Sequence, residues 1–249
     1  MKGKGIVYVV GAGPGDPELI TVKGLKVLRS ADVVLYDRLV SKDLLREVRE
    51  DAELIYVGKA PGRHTMTQEE INRLLVEKAR QGLVVVRLKG GDPYVFGRGE
   101  EECLYVRSHG IECIVVPGIT SAIAGPAYAG IPVTHRGVAS SFAVATGREA
   151  EGKEKRSVSY AALAKAADTL VILMGVGNLE NIVRELLDAG VDPDTPVAIV
   201  EKATLPDQRV TVAPLSRIVE EARRRGVKPP AVIVVGRVVE LREKLWKLA

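Results

Sequence analysis

Apolar, β-branched runs recur along this chain, and most of them end on glycine, proline or a small residue. With helical spacing between the runs, that alternation confines the chain to a sheet-and-helix architecture. In the first half, Gly5 to Val10 (GIVYVV), Asp32 to Tyr36, Glu53 to Val57, Leu83 to Leu88 (LVVVRL) and Glu112 to Val116 predict strands. Thr21 to Ser30 spaces Val22, Leu25 and Leu28 as a helix behind a Thr cap. Thr67 and Glu70 form a capping box that opens a helix to about Gln81, and Gly99 to His109 reads as helix. After Pro132-Val133-Thr134 the pattern restarts. Strands are predicted at Ser141 to Thr146, Thr169 to Leu173, Pro196 to Val200, Arg209 to Val212 and Ala231 to Val235. Helices are predicted near Asn178 to Ala189 and from Pro214 to Arg225. The expected fold is α/β, with two α/β domains at 1–136 and 137–249 and the active-site cleft between them, at strand C-termini.

Composition excludes several function classes. The two cysteines, Cys103 and Cys113, cannot build a disulfide framework or a four-ligand zinc site. His64, His109 and His135 show no metal-ligand spacing, so no metal is expected. The net charge of +4 is spread out, apart from the basic run Arg223-Arg224-Arg225. Without interleaved aromatic residues this suits a small anionic substrate rather than nucleic acid. Cys113 to Thr134 carries no charge, but three prolines and three glycines interrupt it, so a strand, a small-residue helix and a turn are expected rather than a membrane span. The N-terminus shows no apolar signal core, and a cytoplasmic protein is expected.

The strand exits carry the chemistry. Gly11-Ala12-Gly13-Pro14-Gly15-Asp16-Pro17 imitates a dinucleotide-binding loop, with Asp37 ending the next strand. Asp16 stands where the third glycine should be, and Pro14 and Pro17 remove N–H donors, which argues against a nicotinamide dehydrogenase. Lys89 to Gly99 packs five glycines or prolines into eleven residues with two aromatics, more than a plain turn requires. Paired glycines at Gly90-Gly91 let a ligand lie on bare backbone, and Asp92 can bind an ammonium or a ribose hydroxyl. Pro117-Gly118-Ile119-Thr120-Ser121, Met174-Gly175 and Glu201 to Pro206 are further strand exits, as a nucleoside pocket requires. Asp37 and Lys59 both end strands and could share a cleft as base and acid, or form a structural ion pair.

These residues fall in long, collinear motifs. VVGAGPGDPELIT (10–22), DVVLYDRLVS (32–41), ELIYVGK (53–59), TQEEIN (67–72) and VVRLKGGDPYVFGRGEEE (85–102) resemble the tetrapyrrole methylase family. So do VVPGITSAIAGPAYAGIPVTHRG (115–137) and EKATLPDQRV (201–210). The likeness covers nearly the whole chain, apart from 149–158 and the last dozen residues, and is to the members that methylate uroporphyrinogen III. It implies two α/β domains, the first carrying the catalytic loops and tetrapyrrole side, the second completing the pocket for S-adenosylmethionine (SAM). It implies a homodimer and two successive methyl transfers, at C2 and then C7, giving precorrin-2 for sirohaem or cobalamin synthesis and S-adenosylhomocysteine (SAH). Carried over by motif, the SAM contacts are Pro14, Gly90, Gly91, Asp92, Val95, Thr120, Ser121, Met174 and Ala203. Asp37 matches the proton acceptor and Lys59 the proton donor. Arg38, Arg63, His64, Arg98, His135 and Arg136 lie in or beside the motif loops and suit the substrate's carboxylate arms. Arg148 departs from the pattern, since relatives commonly carry His there, and Lys202 fills a variable slot. A methylase of a later precorrin and a non-catalytic SAM- or tetrapyrrole-binding module remain alternatives.

Overall fold

The computed structural model describes residues 5–58, 66–148 and 158–246. The chain divides into two compact units between Thr120 and Ser121. The first holds β1 (Ile6–Gly11), β2 (Val33–Tyr36), β3 (Glu53–Tyr56), β4 (Val84–Lys89) and β5 (Glu112–Val116), all parallel, in the order β3-β2-β4-β1-β5. Its helices are α1 (Val22–Arg29), α2 (Lys42–Leu45), α3 (Gln68–Arg80) and α4 (Gly99–Ser108).

Strand parity decides which residue meets which helix. Val7, Val9, Val33, Leu35 and Val85 turn to one face and pack on Leu75, Val76 and Ala79 of α3 and Val106 of α4. Val10, Val34, Val86 and Leu88 turn to the other and pack with Leu28 of α1 and Leu44 of α2. A parallel sheet covered on both faces needs such continuous apolar runs. The helix ends were legible in the residues: the Thr21 hydroxyl accepts from the Gly24 N–H at 3.0 Å, and Thr67 and Glu70 cap each other.

The second unit holds β6 (Phe142–Thr146), β7 (Thr169–Leu173), β8 (Pro196–Glu201), β9 (Arg209–Pro214) and β10 (Ala231–Val235), in the order β6-β7-β10-β8-β9. Only β6 and β7 pair in parallel; β10 sits in the centre, antiparallel to both neighbours. Its helices are α5 (Ser121–Tyr128), α6 (Tyr160–Ala166), α7 (Leu179–Asp188), α8 (Ile218–Arg224) and α9 (Arg242–Leu245). Leu170, Ile172, Ile199 and Ile233 pack on Tyr160, Ile182, Leu186 and Ile218. Gly125 lets α5 lie close to the sheet: a Cβ there would stand 3.2 Å from Val232. The uncharged Cys113–Thr134 stretch is therefore β5, a turn and the eight-residue α5. Among the described residues no helix is long and apolar enough to cross a membrane.

Two local features depart from the sequence reading. α6 has too little polar contrast to stand out in the sequence, and it forms because Ser159 caps Ala162 and Glu185 accepts from the Tyr160 N–H at 2.7 Å. The helix expected from Pro214 begins only at Ile218, because Pro214 still pairs with Pro196 at the end of β9. The charged stretch Ala150 to Arg156 lies outside the described residues.

Cys103 of α4 and Cys113 of β5 form a disulfide between buried positions, with a Cα–Cα distance of 5.5 Å. It is a single staple rather than a framework. It ties α4 to its own following strand. Reduction, or Cys103→Ala with Cys113→Ala, is expected to lower unfolding stability by ~2–3 kcal/mol, for a loop this short; urea denaturation with and without reductant checks it.

Candidate active site

Three strand exits of the first sheet meet backbone to backbone. A Cβ on Gly118 would stand 2.3 Å from the Gly91 carbonyl oxygen and 2.7 Å from the Gly11 Cα. A Cβ on Gly11 would meet Gly118 at 2.5 Å. Gly13 and Gly91 exchange backbone hydrogen bonds of 3.2 and 2.6 Å, and Gly91 has φ +68°. Only glycine allows this approach. Asp92 locks the junction: one carboxylate oxygen accepts from the Gly118 N–H at 3.0 Å, the other from the Tyr94 N–H at 2.8 Å. Asp16, which spoils the dinucleotide fingerprint, instead caps a short 3-10 turn by accepting from the Glu18 N–H.

The loop after β2 lies against this junction, since a Cβ on Gly90 would stand 2.8 Å from the Leu39 Cβ. Asp37 opens that loop, half-buried. One of its oxygens accepts from the Leu39 N–H at 3.0 Å; the other receives Arg87 Nη2 at 3.3 Å. Arg87 lies between Val9 and Leu35 in the sheet register, so it and Lys89 face α3 and α4. There Glu102, with no exposed surface, takes Arg87 Nε and Lys89 Nζ on one oxygen, each at 3.0 Å. Gln68 donates to the same oxygen at 3.2 Å and to Asn72 at 3.1 Å. Burial, with the like charge of Arg87, pushes the Lys89 ammonium below its ordinary value, against the pull of Glu102 and Asp37. The motifs did not point to Arg87, Glu102, Gln68 or Asn72 as functional. A usable signal was present: two cations two residues apart on a buried strand demand a buried anion.

The exits of the second sheet repeat the device. A Cβ on Gly147 would stand 2.2 Å from the Gly175 Cα. Met174, half exposed, has φ +56°, and Lys202 and Thr204 have φ +48° and +69°. With Phe96 and Arg98, these are all the non-glycine residues of positive φ among the described residues, and every one lies in a loop after a strand. Such backbone costs about 1 kcal/mol or more per residue and collects at functional sites. Gln208 braces the loop after β8, accepting from the Thr204 N–H at 2.8 Å and donating to the Tyr128 carbonyl at 3.0 Å. Ala203 is buried between the two strained residues.

The remaining candidates scatter. Arg38, Arg98, His135 and Arg136 are exposed, and Arg98 forks onto Glu101 at 2.9 and 2.7 Å. His135 closes a short loop through paired backbone bonds with Ala139. Pro14, Val95, Thr120 and Ser121 are partly buried, the last two at the start of α5. Arg148 is exposed, its N–H bonded to the Thr146 hydroxyl. Lys59, Arg63 and His64 lie outside the described residues. Among the described residues, no group of three or more His, Cys, Asp or Glu is placed to hold a metal ion.

The junction predicts a contrast between two glycines. Gly118→Ala should lose ~1–3 kcal/mol of stability by overpacking against backbone. Gly177→Ala, whose Cβ meets nothing within 4 Å, should stay within ~0.5 kcal/mol of the parent. Chemical denaturation of the two variants checks this.

Comparison with known proteins agrees with this layout. Residues 6–219 match the family model of the tetrapyrrole (corrin/porphyrin) methylases. A uroporphyrinogen-III C-methyltransferase of Methanocaldococcus jannaschii is 59% identical over 97% of this chain and 98% of its own. The uroporphyrin-III C-methyl transferase of Thermus thermophilus, solved in complex with S-adenyl homocysteine, superposes with a TM-score of 0.81. It is 46% identical, over 95% of this chain and all of that one. A cobalt precorrin-4 methyltransferase of cobalamin biosynthesis superposes with a TM-score of 0.83 at 33% identity, over 94% and 95% of the two chains. With nearly its whole length matched in sequence and in fold, the chain belongs to the tetrapyrrole methylase family.

Proposed function

We propose that this chain is a SAM-dependent C-methyltransferase that methylates uroporphyrinogen III at C2 and C7, giving precorrin-2 and SAH. The observation that carries this reading is the held carboxylate of Asp37, at the end of β2, in a chain 59% identical to a uroporphyrinogen-III C-methyltransferase. Identity to the cobalt precorrin-4 enzyme is much lower, which favours this substrate over a later precorrin. A binding-only module would have no use for an oriented, half-buried carboxylate.

The reaction needs alignment and one proton acceptor. When bound, SAM supplies an already activated methyl group on its sulfonium. An electron-rich pyrrole carbon takes that methyl and the ring then sheds a proton. Asp37 accepts that proton, and Lys59 is assigned as the proton donor of the site. The glycine pair Gly90-Gly91, with Gly91 at φ +68°, and the strained exits suit SAM, because they present backbone where a ligand can lie against it. In this reading Pro14, Gly90, Gly91, Val95 and Thr120 of the first unit contact SAM, as do Ser121, Met174 and Ala203 of the second. Asp92 keeps the first loop in place while doing so.

Arg38, Arg63, His64, Arg98, His135 and Arg136 are the cations assigned to the acetate and propionate arms. The Arg98–Glu101 pair is exposed on both sides, so it contributes little and a substrate carboxylate can displace Glu101. The working form in this reading is a cytoplasmic homodimer, with the first unit on the tetrapyrrole side.

Anaerobic incubation with SAM and uroporphyrinogen III, read by mass spectrometry, should show a gain of two methyl groups. A gain of one would end the double transfer; no gain with SAM bound would move the substrate to a later precorrin. Asp37→Ala should cut turnover at least ~100-fold while SAM binding, measured by calorimetry, persists. Undiminished turnover would remove Asp37 from the proton step.

A further inference from the structure

We infer that Glu102, a fully buried side chain beneath the first sheet, is a positioning residue for the methyl-transfer reaction. It acts through Arg87 to set the orientation of the Asp37 carboxylate. The inference rests on Asp37 being the proton acceptor.

The geometry of Arg87 carries the case. Its guanidinium is planar, and each nitrogen has a separate task. Nε donates to Glu102 at 3.0 Å. Nη1 donates to the carbonyls of Leu88 at 3.0 Å and Leu35 at 3.5 Å. Nη2 alone reaches Asp37. Once Glu102 and the two carbonyls hold the plane, the direction of Nη2 follows. Asp37 is then fixed from both sides, by Nη2 on one oxygen and the Leu39 N–H on the other. Glu102 is itself held by Lys89 and Gln68, which approach the same oxygen as Arg87. A line of directed bonds thus runs from α3, through α4 and β4, to the end of β2.

A packing role does not account for this group. Apolar side chains of similar volume fill a core as well as buried charges do, often better. The second oxygen of Glu102 is buried without a hydrogen-bond partner, so the cluster is not built for maximal satisfaction. What the charges offer over apolar side chains is direction. Arg87 and Lys89 are balanced by Glu102 and Asp37, and Asp37 is the only one of the four with appreciable exposure. The buried members serve the one that can meet a substrate.

The test is a double-mutant cycle on the full chain, with anaerobic methyl transfer to uroporphyrinogen III as one readout and SAH calorimetry as the other. Glu102→Asp keeps the charge but shortens the reach, and so should turn the Arg87 fork. Turnover is expected to fall ~10- to 100-fold, the scale of a displacement of about 1 Å at a reacting group. KM and SAH affinity should not move. In the Asp37→Asn background the same change should alter residual turnover by no more than ~2-fold. Arg87→Lys, which keeps the charge and loses the fork, should repeat the pattern and stands in if Glu102→Asp does not fold. Equal factors in both backgrounds, weakened SAH binding, or unchanged turnover of Glu102→Asp would overturn the inference and leave the proposed activity standing. An unmodified chain that never methylates the substrate, or a fully active Asp37→Asn, would overturn the functional reading and the inference with it.

Discussion

The first unit is organised around a place where no side chain fits. The backbones of Gly11, Gly91 and Gly118 touch where β1, β4 and β5 end, and the strand order puts those three side by side. Parallel strands must all leave the sheet on the same edge, so their exits crowd together. The usual way out is to splay the loops. Here they are drawn together by paired Gly13–Gly91 bonds and by Asp92, which bonds across to Gly118. The result is a floor of bare peptide at the carboxyl edge of the sheet, where ligands of open α/β sheets bind. The second unit, with a mostly antiparallel sheet, reaches a similar end through Gly147 and Gly175. In both sheets, glycine lets the backbones of neighbouring exits pack against each other more closely than any side chain would permit.

The second constraint is charge beneath the floor. β4 runs through the middle of the sheet and is buried on both faces, yet it carries Arg87 and Lys89. Their parity sends both to the face covered by α3 and α4. Isolated, either would be prohibitively unfavourable there. Glu102 resolves this from the first turn of α4, where a helix N-terminus also favours a carboxylate. The capping box that starts α3 brings Gln68 to the same carboxylate. Local capping and remote electrostatics are thereby linked: the helices cannot shift without disturbing the bonds that reach Asp37.

How legible this was depended on whether the cause was local. The strands of the first unit, the Thr21 cap and the Thr67–Glu70 box follow from neighbouring residues, and they appear where their patterns place them. The Gly and Pro loops also announced themselves, because glycine pairs after a buried strand have few other uses. The functions of individual residues in those loops were less visible. Asp92 reads as a ligand contact, yet both its oxygens hold backbone N–H groups, a fact set by Gly118 far along the chain. Glu102 reads as one of three exposed glutamates, and only the helix rotation fixed by Cys103 and Val106 turns it inward. α6 and the late start of α8 depend on Glu185 and on pairing to Pro196, contacts no local window contains.

The same division between frame and detail bears on substrate choice. The cobalt precorrin-4 methyltransferase superposes as well as the uroporphyrin-III enzyme despite lower identity, so the backbone frame does not select the macrocycle. Selection must then come from side chains that the frame leaves free. The Glu102–Arg87 pair is poorly suited to it, since neither side chain has appreciable exposure. The exposed cations are better placed. Arg38 adjoins Asp37, and Arg98 is held at φ +60° at the start of α4, a conformation arginine adopts only when its surroundings impose it. In the proposed reading such exposed guanidiniums, and not the glycine floor, distinguish substrates by where their carboxylate arms lie.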